Sequence, residues 1–379
     1  MARRNVRAAF YRGGTSKAVV FNAADLPADQ TLRDRIFLHV MGSPDPYGRQ
    51  LNGMGGGISS VSKVVVVGPS SRKDADVEYT FVQIAVDAPV ADYGQLCGNM
   101  SSTVGPFAVE ERLVAATGEA TTVRVHNTNT GQIFHCTFAT KDGEVVEEGD
   151  FEIPGVSFAG SRVKLEFLSP GGSTTGQLLP TGNATDWLAV EAVGTFEVSM
   201  VDASNPVVFL HAADLGVAGS EAPATLDGDD ALMARMDQIR RAAAVAMGLA
   251  PDPQAVPLSS PKIALVAPAT AFEALDGRRY EPDSHHLSIR LISMGNFHRA
   301  ITLTGAMCVA VAARIPGTLV SGLVPDEGDV LIGNPSGVLP MQAVVRNRAQ
   351  GIEAVKATTY RTQRRIMTGY LSYPQHLLG

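Results

Sequence analysis

Cysteine is scarce: Cys97, Cys136 and Cys308 are the only three in 379 residues. Thiols so few and so scattered exclude a disulfide framework and a structural zinc site, and they fit a reducing cytoplasm. Charge is thin as well, at 18% of residues with a net −7. That balance, with no Lys/Arg stripe, argues against a nucleic-acid partner. An acidic substrate must then be met by a few local cations, because the chain has no global positive field. No apolar run approaches the ~20 residues that span a bilayer. The opening Met1-Ala2-Arg3-Arg4-Asn5-Val6 lacks the apolar core of a signal peptide. The expectation is a cytoplasmic protein that engages no membrane.

What is abundant is hydrophobic residues, at 45%, together with 38 glycines and 22 prolines. Many turns favour a strand-rich α/β architecture over a helical bundle, and the length calls for two domains. Val6 to Tyr11 and Lys17 to Phe21 read as strands joined at Gly13-Gly14. Leu32 to Met41 has helical spacing and stops before Ser43-Pro44. A glycine-rich loop, Gly53 to Lys63, feeds the strand Val64 to Val67, and Tyr79 to Val86 alternates as a strand. The loop lacks the Gly-Lys-Ser/Thr ending of a phosphate loop.

The most informative run is Asp92-Tyr93-Gly94-Gln95-Leu96-Cys97-Gly98-Asn99-Met100-Ser101-Ser102. A thiol here precedes small polar residues and then an apolar helix pattern, with Pro106 inside it and Gly118 as the expected C-cap. Backbone N–H groups at such a helix start hold a carboxylate, and their field favours a thiolate. The alternative is a buried core thiol, the commoner role of free cysteine.

The second half repeats this grammar. Strands are expected around Val207 to Leu210, Lys262 to Val266 and Ser288 to Ile292, with a long helix from Asp229 to Met247. Thr304-Gly305-Ala306-Met307 opens an apolar helix, placing Thr304 where the first half has Cys97. Cys308, further along the apolar helix, reads as a core thiol. The pair His285-His286 has no third ligand at metal spacing, so no metal is expected.

Several runs carry a resemblance. They are Arg12-Gly13-Gly14-Thr15-Ser16-Lys17, Gly42-Ser43-Pro44-Asp45-Pro46-Tyr47, Gly53-Met54-Gly55-Gly56 through Ser62-Lys63, the Cys97 run, and Pro180-Thr181-Gly182-Asn183. Further on stand Ser293-Met294-Gly295, His298-Arg299-Ala300 and Asn334-Pro335-Ser336-Gly337. In order and spacing, across nearly the whole chain, they resemble the PrpF family, the methylaconitate isomerases and 4-oxalomesaconate tautomerases. The one departure is Asn334, where many relatives carry His-Pro-Ser-Gly.

The resemblance implies an α/β (α+β) fold of two similar diaminopimelate epimerase-like domains. Each is a curved, mostly antiparallel sheet around a central helix, and the active site lies in the cleft between domains. The boundaries expected are 1–184 and 185–379, with the last strand crossing back to the first. It implies cofactor-free proton transfer along an allylic system flanked by carboxylates, which needs a base, an acid and donors for the dienolate charge. By resemblance Lys63 and Cys97 are that pair. Both groups reach working pH by ordinary means, since burial lowers an amine and cations lower a thiol. Which is base and which acid stays open, because their titrations couple.

The substrate-binding residues implied are Ser16, Lys17, Ser59, Ser60, Gly98, Asn99 and Met100, with Arg299, Thr304 and Gly305 from the second half. Arg12 is either a substrate clamp or a structural partner. His298 matches a position that is also His in the family, where a neutral, hydrogen-bonded role stands beside proton transfer. The expected partner is a small unsaturated di- or tricarboxylate, with no cofactor and with a homodimer as the candidate assembly. Isomerisation of 2-methylaconitate leads, and 4-oxalomesaconate tautomerisation and an aconitate- or itaconate-type isomerase follow. A non-catalytic carboxylate-binding helper of a hydratase is the alternative from another class, and Lys63 with Cys97 speaks against it.

Overall fold

In the computed structural model, residues 3–94, 96–349 and 351–378 are described. Gln95, inside the Cys97 run, lies outside them. The chain forms two units, Met1–Phe167 with Tyr360–Gly379, and Leu168–Thr359. The division thus falls earlier than the expected boundary after residue 184. The C-terminal strand Gln363–Pro374 joins the first unit because it pairs antiparallel along the opening strand Arg3–Gly13, from Arg3↔Pro374 to Gly13↔Gln363.

The strand order of the first unit follows from its pairings. Arg3–Gly13 runs antiparallel to Ser16–Asn22, which is parallel to Lys63–Pro69. The latter is antiparallel to Val77–Ile84, which is parallel to Ala120–Asn127. Ile133–Lys141 and Val163–Leu168 then add antiparallel. The second unit repeats the series. Gly194–Asp202 and Pro206–His211 are antiparallel, and Lys262–Pro268 is parallel to the latter. Leu287–Ser293 is antiparallel to Lys262–Pro268, Val330–Asn334 is parallel to Leu287–Ser293, and Gly337–Arg348 and Gly351–Arg361 close antiparallel.

Each sheet carries a helix on either face. In the first unit the outer helix Gln30–Met41 is capped by Asp29, whose carboxylate accepts from Leu32 N, and ends at Gly42 with φ 76°. Its Ile36, Phe37 and Val40 pack with Val19, Phe21, Val64, Val66, Val82 and Ile84. Strand residues alternate between faces. Lys63, Val65 and Val67 therefore face the other helix, Gly98–Glu110, which touches strands all around the unit. In the second unit Asp230–Ala246, capped by Asp229, packs against Ile263 and Leu265, which leaves Lys262 on the face of the helix Leu303–Ala312.

The helix Gly98–Glu110 is buried from Met100 to Val109 although it is rich in hydroxyls. Those hydroxyls bond back along their own helix: Ser101 Oγ to Cys97 O, Ser102 Oγ to Asn99 O and Thr103 Oγ to Met100 O. Small residues let it enter the sheet's hollow, and at Gly105 an added Cβ would lie 2.6 Å from Phe138 and 2.9 Å from Cys136 Sγ. Pro106 does not delay the helix, which begins at Gly98. Nor does the helix reach Gly118. It stops at Glu110, with Arg112 in the left-handed region (φ 58°) and Leu113 N bonding Ala108 O. The last turn is pinned there by cations, Arg7 and Arg365 on Glu111 and Arg365 on Glu110, as a helix C-terminus favours. Tyr11 donates to Glu110.

The two lysines that open the matching strands differ in their partners. Lys63 pairs across to Gln83. In the second unit the last registered pair is Ile263↔Ile292, and the next residue of that strand is Ser293. Lys262 Nζ makes no hydrogen bond or ion pair among the described residues, is 8% exposed, and burial lowers it to about 8, with Cys308 nearby acting against that shift.

The close contact at Gly105 sets one expected outcome. Gly105→Ala lowers thermal stability by about 1–3 kcal/mol through overpacking, whereas Gly322→Ala, in open space, leaves it unchanged; equal melting temperatures would contradict this. For Lys262 the folded-state pKa lies below that of the unfolded chain, so the unfolded state binds the extra proton between about pH 8 and the ordinary lysine range. Stability from this group rises with pH across that window. Urea midpoints at about pH 7.5 and 9.5 should show wild type gaining on Lys262→Met; parallel behaviour of the two proteins would refute it.

Candidate active site in the first unit

Lys63 is the first residue of its strand and is 8% exposed. Its Nζ donates to Gln83 Oε1 at 2.6 Å and sits 5.1 Å from the centre of the Phe81 ring. Gln83 is itself fixed, its Nε2 donating to Ser59 O and Ser62 O. The loop leading to Lys63 is organised by Gln50, which is buried. Gln50 Nε2 donates to Ser43 Oγ and Ser62 Oγ, and its Oε1 accepts from Gly57 N. Gly55 is needed beside it, since a Cβ there would stand 2.2 Å from Gln50 Oε1. Ser59 is exposed and Ser60 half-buried on the short turn Ser59–Val61.

Cys97 occupies the N-cap of the helix Gly98–Glu110 and is half-buried, with no side-chain cap bond. Its carbonyl accepts from Ser101 N, Ser101 Oγ and the hydroxyl of Tyr79, at 3.0–3.1 Å. Tyr79 is fully buried, and burial together with the nearby Cys97 holds its phenol well above the usual range, so it stays neutral. Tyr79, Phe81 and Gln83 share the face of Val77–Ile84 that looks toward the central helix. One strand therefore steadies both candidates, Lys63 through Gln83 and Cys97 through Tyr79.

The turn between the first strands closes on the same helix start. Asn99 Nδ2 donates to Thr15 Oγ1 at 3.0 Å and Ser16 Oγ at 3.3 Å, while its Oδ1 accepts from Arg361 Nε at 3.1 Å. Ser16 is buried, and Lys17 holds its amine 5.6 Å from the Phe10 ring centre. Gly98 and Met100 are buried, so the Met100 side chain belongs to the core. Arg12 Nη1 donates to Gly14 O, Thr362 O and Thr362 Oγ1, all within 3.1 Å.

In the second unit the helix begins at Leu303, and its cap is Thr302, whose Oγ accepts from Gly305 N. Thr302, not Thr304, is therefore the counterpart of Cys97. The cap hydroxyl wins because it reaches the N–H of the third helical residue. This helix start still lacks a thiol. Thr304 lies in the first turn, half-buried, and the Gly305 N–H is spent on the cap. Cys308 is buried, its thiol pushed up by desolvation and bonded to Val201 O.

His298 is half-buried, and desolvation lowers its pKa, with Lys262 adding to the effect. Nδ1 accepts from Ala300 N, which makes it a neutral imidazole with a fixed tautomer. Arg299 is exposed and lies 3.4 Å from Asp227. Asn334 closes its own turn, donating to Gly337 O and accepting from Ser336 N. The rings of His285 and His286 are engaged by Ser284, Ser288 and Leu331 N.

Two residues escaped the sequence reading. Lys262 carried a readable signal, because Lys262-Ile-Ala-Leu-Val-Ala-Pro268 matches Lys63-Val-Val-Val-Val-Gly-Pro69 in both termini and in burial. Arg361 carried none: it stands in an ordinary strand far along the chain and reaches Asn99 only through the fold.

Comparison with known proteins places these residues in context. Residues 3–374 match the family described as PrpF protein. The chain is 38% identical to the 3-methylitaconate isomerase of Eubacterium barkeri, with 95% of each chain covered. It is 38% identical to the 2-methyl-aconitate isomerase of Shewanella oneidensis, covering 98% of this chain and 97% of that one. It is 41% identical to the 4-oxalomesaconate tautomerase of Pseudomonas putida, covering 86% and 85%. The crystal structure of methylitaconate-delta-isomerase superposes with a TM-score of 0.90 at 36% identity, over 100% of this chain and 98% of that one. A hydroxyproline epimerase from Agrobacterium vitis, at 12% identity and TM-score 0.52 over 97% and 93%, shares the fold alone. The family match over residues 3–374 and relatives 38% identical along nearly the whole chain lead to one conclusion: the chain belongs to the PrpF family.

Proposed function

We propose that this chain is a cofactor-independent isomerase that shifts a proton along the allylic system of a small unsaturated carboxylate, with 2-methylaconitate as the first candidate substrate. The observation that supports this reading is that one strand, Val77–Ile84, holds both residues: Gln83 accepts from the Lys63 amine, and Tyr79 donates to the carbonyl of Cys97, the residue at the helix N-cap. One group removes a proton from one end of the allylic system. The charge spreads into the flanking carboxylate as a dienolate, and the other group returns a proton at the far carbon. Ser16, the N–H groups at the helix start and nearby cations supply the donors that a growing enolate charge requires.

The relatives' names support this class and leave its members close together. A methylaconitate isomerase, a methylitaconate isomerase and an oxalomesaconate tautomerase lie within a narrow span of identity to this chain. All three names fit one proton shift, so the second reading, 4-oxalomesaconate tautomerisation, uses the same residues. A pure binding protein needs neither a buried amine nor a thiol at a helix N-cap.

The test is exchange in D₂O, followed by NMR, with 2-methylaconitate, 3-methylitaconate and 4-oxalomesaconate in turn. At least one acid should exchange and isomerise, and Lys63→Met and Cys97→Ser should each lower kcat by about 10²–10⁴ with an unchanged circular dichroism spectrum. No exchange with any of the acids refutes the isomerase reading. Full activity in both variants refutes the site.

A further inference from the structure

Lys262 opens its strand as Lys63 does, and both are 8% exposed. Lys63 spends its amine on Gln83, whereas Lys262 Nζ makes no hydrogen bond or ion pair among the described residues. A buried ammonium costs free energy unless an anion or an acceptor offsets it. Cys308 does not supply that anion, because desolvation keeps its thiol neutral and the thiol already bonds Val201 O. Burial lowers the Lys262 amine only to about 8, so at pH 7 it is mainly protonated and its charge is unmet.

The register of the sheet fixes where this amine lies. Ala264, two residues along the same strand, stands opposite Leu291, and a Cβ on Gly305 would lie 2.8 Å from Leu291 Cδ1. Lys262, Ala264 and Leu291 therefore share the face on which the helix Leu303–Ala312 begins. From the other side of Leu291, His298 N donates to Leu291 O at 2.8 Å. Lys262 also stands opposite Val207, and Val207 opposite Val201, whose carbonyl bonds Cys308. The helix thus passes over the row that Lys262 occupies.

The groups around this amine are donors. A helix start leaves its first N–H groups without intrahelical partners. Thr302 takes that of Gly305, which leaves those of Leu303 and Thr304. His298 accepts at Nδ1 from Ala300 N, so its proton is on Nε2, which makes no hydrogen bond among the described residues. The carboxylate of Asp227 is taken up by Phe297 N and Arg299.

We propose that Lys262 is a carboxylate-binding residue of the second unit. One carboxylate of a small di- or tricarboxylic acid lies against its amine, with the N–H groups of Leu303 and Thr304 and His298 Nε2–H as further donors. A carboxylate suits the place because it accepts several hydrogen bonds at once and a helix N-terminus favours negative charge. The choice of acid rests on the isomerase reading, and the site rests on the second unit alone.

The test uses tricarballylate, a saturated tricarboxylate with no allylic proton to move. In titration calorimetry, wild type should bind it and not its trimethyl ester, and Lys262→Met should weaken binding by about tenfold. Acetic anhydride labelling of wild type, read by peptide mass, needs no variant: saturating tricarballylate should protect Lys262 several-fold and leave the exposed Lys73 unchanged. Equal affinity in Lys262→Met overturns the proposal, as does a wild type that binds no tricarballylate. Should that variant fail to fold, unprotected Lys262 in wild type overturns it instead. A protein that exchanges no acid in D₂O yet shows this protection loses the isomerase reading and keeps this one.

Discussion

The first unit depends on how closely the turn Gly13-Gly14 meets the first turn of the helix Gly98–Glu110. A Cβ on Gly13 would stand 2.5 Å from Asn99 O, and one on Gly14 would stand 2.4 Å from Asn99 Oδ1. Gly14 also takes φ 51°, which glycine adopts without strain. Only bare backbone fits between turn and helix. That approach brings Ser16 beneath the helix N-terminus and lets Asn99 span from Thr15 to Arg361. Arg12 locks the turn from behind by bonding Gly14 O and Thr362, and Gly14 N donates to Thr362 O. The thiol at the cap is thus held by the strands around it and not by its own helix alone.

The same constraint explains why the helix is built from Ser, Thr, Gly and Ala. A helix encircled by strands has no solvent-facing side on which to place polar groups, so its hydroxyls bond its own carbonyls. The second unit keeps the strand order and the buried helix but not the chemistry. Its cap is a threonine occupied by a backbone N–H, its thiol faces Val201 O in the core, and its strand-opening lysine has no glutamine opposite. The repeat thus extends to the strand order and the buried helix, while the side chains at the helix start and opposite the strand-opening lysine differ.

Much of this is legible in the chain. The hairpin, the two outer helices and the strand that follows the glycine-rich loop follow from periodicity and turn signals, while the aspartate caps and the start of that strand at Lys63 come from the structure. The small polar residues that follow Cys97 place it at the start of its helix. Sequence and structure part at boundaries decided by tertiary contacts. Leu113 and Val114 continue the apolar pattern past Glu111, yet the helix ends where Arg7 and Arg365 grip its last turn and Arg112 turns left-handed. Thr302 and Thr304 both suit a cap, and only the bond from Gly305 N separates them. Arg361 lies beyond such reasoning because its partner, Asn99, is distant in sequence and joined to it by the return of the C-terminal segment to the first unit.

The central claim is that Lys63 and Cys97 act on one bound carboxylate, and a crystal structure of Cys97→Ser with 2-methylaconitate or 3-methylitaconate tests it most directly. The account predicts an allylic carbon of the ligand about 3–3.5 Å from Lys63 Nζ or from the residue 97 side chain, with a ligand carboxylate against the N–H groups at the helix start. A ligand bound away from both side chains would contradict it.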